Sequence, residues 1–222
     1  MADLSYIDMG RCSYEDALRL QLKLAQEVQD AQDEKAYLLL VEHHPPVITL
    51  GVGADAENVL AGPDRLSMLG IAVHKTKRGG DVTYHGPGQL VGYPILRLGF
   101  HGRSIRKYLR DLEEVLIRAL AVFDVDAGRR EGMTGVWVGE EKIAAIGVAI
   151  RRWVSYHGFA LNVNCNLEHF RLIVPCGLAK VKVTSLSELL GRAVRPEQVT
   201  PHILKAMLEV FGFSALRQRP AQ

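Results

Sequence analysis

The chain has 222 residues, 48% of them hydrophobic and 23% charged, with a net charge of +2. That is ample apolar material for a substantial core, too little net charge to argue for nucleic acid, and no apolar run approaches the roughly 18 residues of a membrane span. The three cysteines, Cys12, Cys165 and Cys176, fit neither a disulfide framework nor a C-x-x-C zinc or redox spacing. Acidic residues precede any apolar run at the N-terminus, so no signal-peptide pattern is visible and the expectation is a cytoplasmic protein.

In chain order, Ser13 caps a helix whose stripe reads Leu18, Leu22, Ala25 and Val28. Short runs rich in Val, Ile and Leu at Tyr37–Val41, Val47–Leu50, Ile71–His74 and Leu90–Leu96 read as strands. Ser104 precedes a second helical stripe of Ile105, Tyr108, Leu109, Leu112, Leu116, Leu120 and Phe123. Gly135–Val138, Ile143–Ile150 and Tyr156–Leu167 follow with tight connections and predict an antiparallel meander. Ser185 with Glu188 has capping-box spacing for a short helix ending at Gly191. A last helix is expected from a Thr200 cap, with Pro201 at its first position and Gly212 at its end. Helices at both ends and strands between them predict an α+β fold in a single domain over residues 1–222.

Two glycine-rich segments call for different readings. Gly51-Val-Gly53-Ala-Asp-Ala56 has the form G-x-G-x-x-A, but no acidic residue closes a second strand about 20 residues on and no periodic helix follows, so dinucleotide binding is rejected. Arg78-Gly-Gly-Asp-Val-Thr-Tyr-His-Gly-Pro-Gly-Gln89 is denser, and its glycines let the main chain approach a ligand closely. Basic residues cluster at His74, Lys75, Lys77 and Arg78, at Arg151 and Arg152, and at Arg171, Lys180 and Lys182. Each suits a solvated surface; converging in space, they would steer an acidic protein or an anionic cofactor. The adjacent pair His43 and His44 lacks a third ligand in register, so no metal site is expected.

The cysteines separate by context. Phe159, Leu161, Val163, Cys165 and Leu167 alternate with small or polar residues, which places Cys165 on the buried face of a strand, where a thiol acts as a small hydrophobe. Cys12 sits just before the first helix cap and suits packing. Cys176 lies in a Pro-Cys-Gly turn, which presents a side chain in the open. Reactive and inert loop thiols look alike in such a turn, so pattern alone leaves its role open.

The 78–89 block, Lys142 with Ala145-Ile-Gly147, His157-Gly-Phe-Ala160 and Pro175-Cys-Gly177 resemble, in order and spacing, the lipoyl(octanoyl) transferases of lipoic acid biosynthesis. The resemblance runs from the His44–Gly51 block to Val183-Thr-Ser-Leu186, with no departure at a motif position. It implies the fold of the biotin and lipoate protein ligase catalytic domains, a mixed, largely antiparallel sheet flanked by helices. It also implies transfer of an octanoyl group from octanoyl-acyl carrier protein, through a thioester on Cys176, to a specific lysine of a lipoyl domain. The implied acceptors are the lipoyl domains of 2-oxoacid dehydrogenase complexes and the glycine cleavage H protein. No cofactor or metal is implied, because thioester exchange is near neutral and aminolysis runs downhill. A monomer is expected.

By the same resemblance, Cys176 and Lys142 form the catalytic dyad. Arg78, Gly79, Gly80, Asp81, Val82, Thr83, Tyr84, His85, Ala145, Ile146, Gly147, Gly158, Phe159 and Ala160 line the substrate site, and His157 and Gly177 support it. On pattern alone Lys142 is an exposed hairpin residue after Gly139-Glu-Glu141, and the resemblance reverses that reading. The small residues Ala145, Gly147, Gly158 and Ala160 are expected to leave a channel for the acyl tail, with Ile146 and Phe159 as walls. His85 and His157 are expected to position groups rather than move protons. The alternatives are an ATP-dependent lipoate ligase or a lipoyl-protein amidotransferase on the same fold, and a noncatalytic carrier-protein binding module.

Overall fold

The computed structural model of the chain describes residues 2–175 and 181–221. Its strands are β1 (Leu4–Cys12), β2 (Ala36–His43), β3 (Val47–Leu50), β4 (Ala72–Lys75), β5 (Val82–His85), β6 (Gln89–Leu96), β7 (Gly128–Arg130), β8 (Met133–Val138), β9 (Glu141–Arg151), β10 (Val154–Asn162), β11 (Lys182–Val183) and β12 (Leu216–Gln218). The helices are α1 (Tyr14–Asp30), α2 (Pro63–Met68), α3 (Ile105–Ala121), α4 (Leu186–Leu190) and α5 (Pro196–Phe211).

Among the described residues, nine strands form one sheet in the order β12-β1-β2-β6-β10-β9-β8-β7, with β11 added parallel to β9. Pairing is antiparallel from β2 through β7, and β1 runs parallel to both β2 and β12. A second, three-stranded sheet has the order β4-β3-β5. The mixed, largely antiparallel α+β architecture and the β8–β9–β10 meander match the expectation from the sequence.

Both faces of the large sheet are covered, which is why residues 36–41 of β2 read as an unbroken apolar run. Leu38 and Leu40 face a core with Leu112, Leu116 and Leu120 of α3 and Ile203 and Met207 of α5. Tyr37, Leu39 and Val41 point the other way, into a core with Ala17, Leu24, Ala25 and Val28 of α1. A third core gathers Ile48, Leu50, Val82, Tyr84, Cys165 and Phe170 around the small sheet.

The predicted caps of α1, α3 and α4 are present: Ser13, Ser104 and Ser185 accept from the backbone N–H groups of Asp16, Lys107 and Glu188. The stripe of α1 is displaced from its predicted position. Leu22 is 48% exposed, and the buried face is Tyr14, Ala17, Gln21, Leu24, Ala25 and Val28. A buried glutamine on that face disguised it. The last helix starts at Pro196 rather than at Thr200, the Arg195 N–H donating to the Gln198 side chain, and Pro201 lies inside it. The strand expected over Tyr156–Leu167 ends at Asn162, where the chain leaves the sheet. Cys165 therefore lies outside the strand, although it is buried, and burial pushes its thiol up to about 12. Four residues of the 78–89 block form β5 against β3. No helix among the described residues is long and apolar enough to cross a membrane.

Candidate active site

The two sheets converge on a cavity of about 320 Å³. Strand β9 contributes Lys142 and Ala145–Gly147, strand β10 His157–Ala160, and strand β5 with its preceding loop Arg78 and Gly80–Thr83 with His85. Tyr14, Val91, Tyr93, Met133 and Trp137 complete much of the apolar wall. Fourteen of the residues singled out in the sequence thus share one cavity, although they come from three separate strands and a loop.

Two of the predicted lining residues do not face it. Alternation along β5 turns Thr83 and His85 toward the cavity and Tyr84 away, where its hydroxyl lies 2.8 Å from His169 Nδ1 and its ring packs on Phe170. Gly79 is exposed, and its N–H donates to the Val148 carbonyl at 2.8 Å, so that amide is committed to fixing the loop and not to an oxyanion. Gly158 lines the cavity, and it is also constrained from behind: a Cβ there would strike the Gly92 carbonyl of β6. Cys176 and Gly177 lie outside the described residues, as does Lys180.

Lys142 is only 6% exposed, so its position in β9 contradicts the exposed-hairpin reading. Its Nζ lies 5.2 Å from the centre of the Trp137 ring. Its carbonyl accepts from Thr184 N–H at 3.0 Å, and it is paired with Val183 of β11. Pro175 and Val183, described residues on either side of Cys176 in the chain, line the same small pocket as Lys142.

Arg78 was grouped with surface charges in the sequence, but it is buried. Its Nη2 donates to the Thr49 carbonyl at 2.6 Å and to Thr49 Oγ1 at 2.9 Å, and Nη1 donates to its neighbour Gly79's carbonyl at 3.1 Å. Among the described residues, the other members of the basic clusters do not line the cavity. His74 pairs with Glu15, Arg171 with Glu168, and Arg151 and Arg152 sit exposed at the end of the β9–β10 hairpin.

A band of histidines and tyrosines lies beneath the cavity, and only part of it was foreseen. His85 Nδ1 lies 3.1 Å from Gln89 Oε1, and Gln89 Nε2 donates to Asn162 Oδ1 at 2.9 Å. His43, discounted as a zinc ligand, instead lies 2.6 Å from the Tyr93 hydroxyl through Nε2. His157 has φ of +56°, an unusual value for a residue with a side chain, and its N–H donates to Gln21 Oε1 of α1 at 2.8 Å. Thr49, His43, Tyr93 and Trp137 were missed as site residues. The available signal was weak: Thr49 is the one polar residue of Val-Ile-Thr-Leu, and His43 follows Glu42 just after the apolar run that ends at Val41.

Burial holds these imidazoles neutral. It depresses both His43 and His157 to about 4, the Arg78 guanidinium adding to the effect on His157, and it drives His85 well below its ordinary value. Unfolded imidazoles titrate near 6.5, so between about 4 and 6.5 the unfolded chain binds more protons than the folded one. Stability is therefore expected to be steady above about pH 6.5 and to fall by about 3 kcal/mol for each of His43 and His157 as the pH drops to 4. Thermal melts from pH 8 to pH 4 check this, and the drop should be smaller in His157→Gln. A midpoint that does not move between pH 6.5 and 4 would contradict the burial argument.

The fold is shared with solved lipoate protein ligases. The bipartite lipoate protein ligase of Thermoplasma acidophilum superposes with a TM-score of 0.79 over 100% of this chain and 88% of that one, at 17% identity. A lipoate-protein ligase A bound with ATP gives 0.76 over 100% and 89%, also at 17% identity. Mixed sheet and helical layers thus give the chain the fold of these ligases. The family model for the lipoyl protein ligase A/B catalytic domain matches residues 13–208. The octanoyltransferase of Alkaliphilus metalliredigens is 47% identical over 96% of this chain and 97% of its own, and that of Solibacter usitatus 50% identical over 94% and 93%. The chain belongs to the octanoyltransferases of the lipoyl protein ligase A/B catalytic-domain family, and it is an acyltransferase.

Proposed function

We propose that this enzyme moves an octanoyl group from octanoyl-acyl carrier protein to a lysine of a lipoyl domain in two steps, by way of a thioester on Cys176. The observation that carries the reading is the burial of Lys142 beside the cavity, in a small pocket shared with Pro175 and Val183 from either side of Cys176. In the first step the Cys176 sulfur adds to the acyl carbonyl, the donor C–S bond breaks, and the thiol proton passes through Lys142 to the departing carrier thiolate. In the second, the acceptor amine adds to the Cys176 thioester. Its excess proton passes through Lys142 to the cysteine sulfur as the amide forms. The free amine has an ordinary pKa of about 10.4 and is mostly protonated near neutrality, so a proton acceptor at this place answers a chemical need.

The cavity suits the acyl chain. Val91, Ile146, Phe159 and Trp137 offer apolar walls, and burying the tail contributes about 0.8 kcal/mol per methylene. Thioester exchange followed by aminolysis needs no activation by ATP, because each bond formed is no less stable than the bond broken.

Incubation of the protein with octanoyl-acyl carrier protein is expected to add the mass of one octanoyl group. Hydroxylamine should remove it, and an unmodified lipoyl domain should discharge it. An intact donor that leaves no adduct, with pyrophosphate released from ATP and octanoate instead, would assign ligase chemistry.

A further inference from the structure

We propose that Gly135 and Glu113 are positioning residues for Lys142: Glu113 fixes Gly135 in a conformation whose bare Cα forms the slot in which the lysine stem lies. The proposal rests on Lys142 acting as the proton carrier.

Gly135, in β8, has φ of +124°, a value side-chain-bearing residues rarely adopt. A Cβ added there would lie 2.6 Å from Lys142 Cε, 3.2 Å from its Nζ and 2.7 Å from the Ala144 carbonyl oxygen. No side chain fits while the lysine keeps its place. The register between β8 and β9 shifts at this point, Val136 facing Ala144 and Trp137 facing Lys142, with Ile143 as the extra residue. That bulge sets the Trp137 ring opposite the lysine, 5.2 Å from Nζ. Trp137 and Gly135 together therefore confine the side chain.

What holds the glycine comes from another layer. Its N–H donates at 3.1 Å to Oε1 of Glu113, a residue of α3 that is 1% exposed. The other oxygen, Oε2, accepts from Arg110 Nη1 at 2.6 Å and from Arg129 Nε at 3.1 Å, which compensates the buried charge and fixes the carboxylate in place. A glycine inside a strand and a carboxylate inside a core each cost stability. Here both converge on one side chain, and neither residue lines the cavity.

The test compares Gly135→Ala, Glu113→Gln, Glu113→Ala and Lys142→Met with the wild type by two readouts. One is reductive methylation of the folded protein with formaldehyde, followed by peptide mapping of Lys142. The other is kcat and KM for octanoyl transfer. Gly135→Ala is expected to label Lys142 about tenfold faster, because the stem is displaced from its slot. It should lower kcat by about 10–100-fold at nearly constant KM, the scale of a misplacement of about 1 Å. Glu113→Gln keeps an acceptor for the Gly135 N–H and should retain most of the lysine's protection, whereas Glu113→Ala should lose it. Wild-type labelling and kcat in a folded Gly135→Ala protein would overturn the proposal. Should that variant not fold, unchanged labelling in Glu113→Ala would do the same. Full activity in Lys142→Met would instead remove the proton-carrier reading, while the labelling result would still report the slot.

Discussion

Cys176→Ser is expected to give no octanoyl adduct and to lower transfer to a lipoyl domain at least about 1,000-fold, the scale on which enzymes lose a covalent nucleophile. The change removes one property, the ready ionisation of the sulfur. A thiol has an ordinary pKa of about 8.5 and a hydroxyl loses its proton far less readily, so serine at this position lacks the reactive anion. Carrier-protein binding and the melting temperature should stay near wild type, which separates lost chemistry from lost folding. Cys12→Ser and Cys165→Ala provide the contrast. Both thiols are held up by burial, to about 11 and about 12, and neither lines the cavity. Adduct formation equal to wild type in Cys176→Ser would move the acyl attachment elsewhere.

Lys142→Met is expected to slow both half-reactions by about 100- to 10,000-fold, the range for losing a positioned general base. Methionine follows the course of the lysine stem past Gly135 and carries no proton, so the cavity wall is largely preserved. KM for the carrier protein should change little. The limb of the pH-rate profile that reports proton transfer should flatten. A profile with the wild-type shape would show that the proton moves by another route.

The fold was legible where local signals and tertiary packing agree. Ser13, Ser104 and Ser185 mark helix starts because an unpaired helical N–H requires a nearby oxygen, whatever lies beyond. The apolar strands were readable because both faces of the sheet are buried. Strands β1 and β12 escaped notice because each has a mixed, half-exposed sequence, and their pairing joins segments more than 200 residues apart. At the site, most of the motif residues converge on one cavity, yet alternation in β5 turned Tyr84 out of it. Gln21 and Glu113 were invisible for one reason: each is a polar residue on a helix face that becomes informative only once a backbone amide from a distant strand is set against it.

The pairing of β1 with β12 has a consequence for the order in which the chain is made. Strand β1 can pair with β2 once residue 43 has emerged from the ribosome, but its other edge has no partner until residues 216–218 appear. At about 5–20 residues per second that interval is roughly 10–35 s. During it a row of unpaired main-chain groups stands open on β1, and such a row is a template for joining with another nascent chain. Residues 216–218, which do not line the cavity, thus act as the closing seam of the sheet.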